Sequence, residues 1–126
     1  MNDSEFKTLS DAVLARIEQG LETSEADLDF SMVGDGVLEI EFDEGSKIVI
    51  NRHAAQQEIW VAARSGGYHF GWDGQFWLNT RDGSELYARL SELLSAQTGM
   101  NIRLGSASDD SIHRLVVVVL DAERGF

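Results

Sequence analysis

The chain contains no cysteine and no proline. Without thiols it forms no disulfide, no thiolate zinc site and no thiol nucleophile, and it cannot ligate an iron–sulfur cluster through cysteines of its own. Without proline, turns fall to glycine, asparagine and aspartate. Basic residues are scarce: 10 lysines and arginines stand against 22 acids, a net charge of −12. Such a field repels nucleic acid and anionic membranes and attracts cations and basic proteins. No run approaches the roughly 20 apolar residues of a membrane helix. Met1-Asn2-Asp3-Ser4-Glu5 lacks the basic and apolar regions of a signal peptide. A cytoplasmic location is therefore expected. The nucleophile elbow, the phosphate-cradling loop and the paired-histidine zinc motif are missing as well.

What remains is a chain of 126 residues, 43% hydrophobic, which is enough for the core of one domain. Phe6, Leu9, Val13, Ile17 and Leu21 recur at helical spacing, predicting an amphipathic helix over 6–21 with Ser4 as N-cap. Alternation of apolar and polar residues predicts strands over 27–32, 37–42, 47–52, 58–63, 68–72 and 76–79. Turns are expected at Gly34-Asp35-Gly36, Asp43-Glu44-Gly45-Ser46, Ser65-Gly66-Gly67 and Asp73-Gly74. Asp82 and Glu85 form a capping-box pattern ahead of a helix striped by Leu86, Tyr87, Leu90, Leu93 and Leu94 and ending near Gly99. The fold class is α+β: two helices on one face of an antiparallel sheet of about six strands, the other face open. Residues 105–126 stand apart. Gly105 to Asp110 reads as a linker and Leu115 to Leu120 as one strongly β-prone segment, which either adds an edge strand, covers the core or forms an aggregation-prone extension.

The placement of the acids is the most informative chemical feature. At 100° per residue, Asp11, Glu18 and Glu22 fall within about 40° of one another on the first helix. Glu25 in the following loop and Asp27 and Asp29 on the outward side of the next strand extend this ridge. Clustered carboxylates repel, and a hard cation held through oxygen relieves them; an exposed ridge also docks basic patches in a salt-sensitive way. The alternative is a merely solvated helix face. Asp27, Asp29 and Ser31 mimic the start of a calcium loop, but Met32 stands where that loop needs glycine and Glu39 falls one residue late. His53, His69 and His113 lie far apart without ligand spacing and receive no role. On the open sheet face, strand alternation turns Val49 and Asn51, and Glu58 and Trp60, outward. An outward Trp60 is either an interface anchor or is covered by the protein's own loop or tail.

The acidic first helix, the strand Gly45-Ser46-Lys47-Ile48-Val49-Ile50-Asn51-Arg52, the strand Glu58-Ile59-Trp60-Val61-Ala62, Gly66-Gly67-Tyr68-His69-Phe70 and Trp77 together resemble the bacterial frataxins of the CyaY type. The likeness runs from Met1 to about Gly99. It implies an α-β sandwich with iron-binding carboxylates at Glu18, Glu22, Glu25, Asp27 and Asp29, and a role in iron–sulfur cluster assembly. That role combines weak binding of ferrous and ferric iron with docking on a cysteine desulfurase and its scaffold. The partner surface implied comprises Asp11, Glu18 and Glu22 on the ridge and Asn51, Arg52 and Trp60 on the sheet. This sequence departs from the family pattern at Lys7, Gln19, Thr23 and Glu58, and by having no proline in His53-Ala54-Ala55-Gln56-Gln57.

The expectation is a frataxin-like domain over 1–104 and an extension over 105–126. The protein is expected to be a non-enzymatic iron-binding regulator, monomeric unless iron drives it into oligomers, with no nucleic-acid or membrane partner. Two rival readings remain open: an acidic binding module without a metal role, and a ferroxidase-type enzyme, for which the sequence displays no preorganised ligand set.

Overall fold

A computed structural model describes residues 1–24, 26 and 28–105. Two helices, α1 (Asp3–Thr23) and α2 (Leu86–Thr98), flank six strands in chain order: β1 (Asp29–Gly34), β2 (Val37–Glu41), β3 (Lys47–His53), β4 (Glu58–Ala63), β5 (Gly66–Trp72) and β6 (Trp77–Asn79). The strands form one antiparallel sheet in the order β1-β2-β3-β4-β5-β6. Both helices contribute to a single core with one face of the sheet. Ile17 of α1 and Leu86, Leu90 and Leu94 of α2 are buried together with Leu38, Ile40, Ile48, Ile50, Ile59 and Phe70. The expected α+β architecture is thus the one observed. Neither described helix is long and apolar enough to cross a membrane.

Local chemistry explains the boundaries, and in three places differs from expectation. α1 is capped by Asn2, not Ser4. The Asn2 Oδ1 accepts from the Glu5 N–H at 2.8 Å while the Asn2 N–H donates to Glu5 Oε1 at 2.9 Å, a reciprocal box that moves the N-cap from Ser4 back to Asn2. α2 is capped by Glu85, whose carboxylate accepts from the N–H groups of Tyr87 and Ala88, both at 3.0 Å. Asp82 serves instead a tight turn, accepting from Ser84, and pairs with Arg89 at 2.9 Å. The β4–β5 turn is Arg64-Ser65, and Gly66 and Gly67 already belong to β5, pairing with Ala63 and Ala62. At the other end of α2, Gly99 adopts φ 77° and closes the helix on the Ser95 carbonyl, a left-handed conformation that glycine takes without a Cβ clash.

The core continues past α2, since Ile102 and Leu104 are buried. Leu104 lies against Gly20 of α1, where an added Cβ would sit 2.6 Å from its Cδ2. β1 is the less protected edge. Phe30 is half-buried, but Met32 and Val33 are 42% and 54% exposed, so the inward Met32 expected from alternation is not covered. The β1–β2 register shifts between Met32 and Gly34, and that irregularity spoils the two-residue period at the strand's end. Two of the expected ridge residues, Glu25 and Asp27, and the β-prone segment 115–120 with its preceding linker lie outside the described residues.

Candidate functional site

The chemistry-bearing side chains fall on two surfaces, the outer side of α1 with the β1 edge, and the open face of the sheet. On α1, Glu22 is exposed and Glu18 half-buried, and Asp29 at the start of β1 is exposed. Among the described residues none of these three carboxylates forms an ion pair. Their oxygens suit a hard cation. Among the described residues, however, no three acids or histidines come together as a metal-holding group. The described part of the ridge is an open array of carboxylates, not a cage.

Asp11, expected as the far end of that ridge, is neutralised. Its Oδ2 accepts from Lys7 Nζ at 2.8 Å and its Oδ1 from Arg52 Nη1. The Lys7 hydrogen bond first and the Arg52 hydrogen bond second hold its carboxyl below the usual aspartate range. Arg52 itself departs from expectation. It follows Asn51 in β3, so its side chain turns to the helix side, away from Asn51 and Trp60. There it is only 8% exposed, and it also donates to Ser10 Oγ at 3.1 Å and through Nη2 to Asp35 Oδ1 at 2.8 Å. This arginine ties α1 to the β1–β2 turn. Gly36 makes room for it: an added Cβ there would meet the guanidinium Nε at 2.7 Å, and φ is +80°.

The open face carries a feature that sequence reasoning missed. Strand pairing sets Asn51 opposite Trp60 and Trp60 opposite His69, while His53 pairs with Glu58 in the adjoining row. The Trp60 ring is sandwiched. His53 stacks on it at 3.7 Å between centroids, 12° from parallel, and His69 stacks on the other side at 4.1 Å and 8°. Among the described residues two imidazoles, not a bare surface, cover its faces; the tail offered as a cover lies outside the described residues. The indole Nε1 donates to Glu58 Oε1 at 2.8 Å, fixing the ring in its plane. The same Oε1 lies 3.9 Å from His69 Nδ1. His53 Nδ1 accepts the Gln56 N–H at 3.3 Å, so its neutral form carries the proton on Nε2. The parity of alternation already puts His53, Trp60 and His69 on one face; the register that brings their rings together is not written in any one strand.

With this geometry in place the chain can be compared with known proteins. The family model described as the frataxin-like domain matches residues 1–100. The chain belongs to the frataxin family. Among its relatives, the protein named iron-sulfur cluster assembly protein CyaY from Dechloromonas aromatica (strain RCB) is 56% identical over 104 residues, covering 82% of this chain and 99% of that one. The protein of the same name from Janthinobacterium sp. (strain Marseille) is 50% identical over 113 residues, covering 86% and 100%. Of solved structures, the frataxin of Psychromonas ingrahamii superimposes with a TM-score of 0.78 at 31% identity, covering 84% of this chain and all of that one. The trimeric frataxin of Saccharomyces cerevisiae, complexed with ferrous iron, gives a TM-score of 0.57 at 23% identity over 76% and 85% of the two chains, a likeness of fold alone. The frataxin fold thus accounts for the layer order.

Proposed function

We propose that this frataxin-family chain is an accessory protein of iron–sulfur cluster assembly. It binds ferrous or ferric iron weakly on the ridge of Glu18, Glu22, Glu25, Asp27 and Asp29, docks on a cysteine desulfurase and its scaffold, and is not itself an enzyme. The assembly role is supported by the names of relatives that share half or more of its residues over nearly their full length. One structural observation carries the ridge. Glu18, Glu22 and Asp29 stand without ion-pair partners among the described residues, whereas Asp11 is neutralised by Lys7 and Arg52. Unpaired carboxylates keep their field for an incoming cation or basic protein surface, and their hard oxygens suit hard cations, ferric iron among them, with little discrimination. The absence of cysteine fits a protein that serves cluster assembly without holding a cluster on thiolates.

The double variant Glu18→Lys/Glu22→Lys tests this reading by titration with ferrous iron and with a cysteine desulfurase at low salt. Both affinities are expected to fall at least tenfold, roughly the effect of reversing two nearby surface charges. Unchanged affinity for both would falsify the reading. A second reading, an acidic docking module without a metal role, is favoured by the lack of any three-ligand group among the described residues. Loss of desulfurase binding in the variant, with no iron titration in the parent chain, selects it.

A further inference from the structure

The sandwich of Trp60 between His53 and His69 lies at the centre of the open sheet face, and its two outer rings are imidazoles, the side-chain type suited to a switch near neutral pH. The charged groups that share the face are few. β1 contributes Asp29, β2 Glu39 and Glu41, β3 Lys47, and β4 Glu58 beneath the stack. Lys47 pairs with Glu39 at 3.2 Å. β5 adds only His69 between Gly67 and Gly71, β6 turns Leu78 outward, and the β3–β4 turn of residues 54–57 is uncharged. The loop after β6 carries Arg81 and Asp82, of which Asp82 is held by Arg89. With neutral imidazoles the strands therefore present four carboxylates against one lysine on this face. Protons on both histidines cancel two of the strands' three net negative charges.

The hydrogen bonds couple that charge to the indole. A proton on His69 Nδ1 faces Glu58 Oε1, the atom that the Trp60 N–H already holds. Pairing of the imidazolium with this oxygen weakens the indole's hydrogen bond. On the other side, a proton on His53 Nδ1 meets the Gln56 N–H, and the bond that closes the turn is lost. Either imidazolium is at the same time attracted to the π face it covers, so the rings remain stacked while their polar contacts change.

We propose that the His53–Trp60–His69 stack is a proton-responsive element of the docking face: proton uptake loosens Glu58 from Trp60, makes the face less negative and weakens its hold on a basic partner. This inference rests on the docking reading above. It differs from that reading in making affinity depend on two side chains that are neither ridge carboxylates nor iron ligands.

Two measurements on the full chain test it. The first follows the Trp60 indole N–H by ¹H–¹⁵N spectroscopy from about pH 8 to about pH 5.5, the range in which imidazoles titrate. The signal is expected to move in the parent chain and to stay still in the double variant His53→Gln/His69→Gln, in which planar amides keep the stack uncharged. The second measures cysteine desulfurase affinity over the same range at constant ionic strength. Affinity of the parent chain is expected to fall roughly fivefold for each imidazolium brought within contact distance of a basic group, and that of the variant to fall less. A motionless indole in the parent chain, or the same pH dependence of affinity in parent and variant, overturns the proposal. An indole that titrates in a chain that binds no desulfurase at any pH upholds the proton-coupled stack and overturns the docking reading instead. The single variants His53→Gln and His69→Gln, at half-buried and exposed positions, assign the effect to one ring or the other.

Discussion

The Ile-Asn-Arg run places three successive residues on alternating faces, so Asn51 reaches the open face and Arg52 the helix side. Because the guanidinium is 8% exposed and satisfied by Ser10, Asp11 and Asp35, its removal is a stability effect before it is a binding effect. Arg52→Gln is expected to lower unfolding free energy by about 2 kcal/mol, the scale of hydrogen bonds to a charged group that is largely out of water. Urea denaturation measures this; a loss under about 0.5 kcal/mol, typical of an exposed pair, would show that the tie is dispensable. Gly36 belongs to the same cluster, since its positive φ and missing Cβ leave the space the guanidinium fills. None of Ser10, Asp11, Asp35 and Gly36 is a neighbour of Arg52 in the chain, which is why the residue reads from sequence alone as part of a partner surface.

Among the elements, α2 shows how a legible stripe can hide a chemical consequence. The spacing of Leu86, Tyr87, Leu90, Leu93 and Leu94 identifies the buried side of the helix correctly. It does not reveal that Tyr87, 4% exposed, has Arg16 of α1 over its ring at 5.6 Å. Burial pushes the Tyr87 phenol up to about 12 from an ordinary 10.0, with Arg16 pulling it down and Glu85 adding to the rise. Because the folded value is raised, the associated stability is complete below about pH 10, where the phenol is neutral in both states. It drains away as pH climbs toward 12, because the unfolded chain ionises first. Tyr87→Phe is therefore expected to flatten the alkaline fall in urea midpoint above about pH 10. An alkaline limb equally steep in parent and variant would count against burial as the cause. The cap of this helix depends on tertiary geometry in the same way. Both Asp82 and Glu85 suit an N-terminus by type, and only the backbone geometry decides that Glu85 receives the helix N–H groups while Asp82 holds Ser84 and Arg89.

For the molecule as a whole the net charge of −12 sets two responses of opposite sign. Self-repulsion of so many carboxylates destabilises the compact state, whereas the same field draws in a basic partner. Added salt screens both, with a Debye length of about 10 Å at 0.1 M. Thermal unfolding midpoints are expected to rise between low salt and about 0.15 M, while desulfurase affinity falls over the same interval. Scanning calorimetry and binding measured in matched buffers test the pair. A midpoint that falls with salt would mean that local ion pairs such as Lys7–Asp11 and Arg64–Glu44 outweigh the global repulsion.

Composition and periodicity by themselves determined the layer architecture, the buried stripes of both helices and the outward parity of Asn51 and Trp60, because side-chain direction repeats every two residues in a strand and every 3.6 in a helix. The acidic side of α1 was legible for the same reason. Only the tertiary structure decided which of those residues meet. Strand register is a relation between segments, so no local pattern could show that His53 and His69 close on the two faces of Trp60, or that Arg52 reaches across to Asp11 and Asp35. Asp11 is thereby engaged by Lys7 and Arg52, and the aromatic on the open face becomes the centre of a stack of three rings.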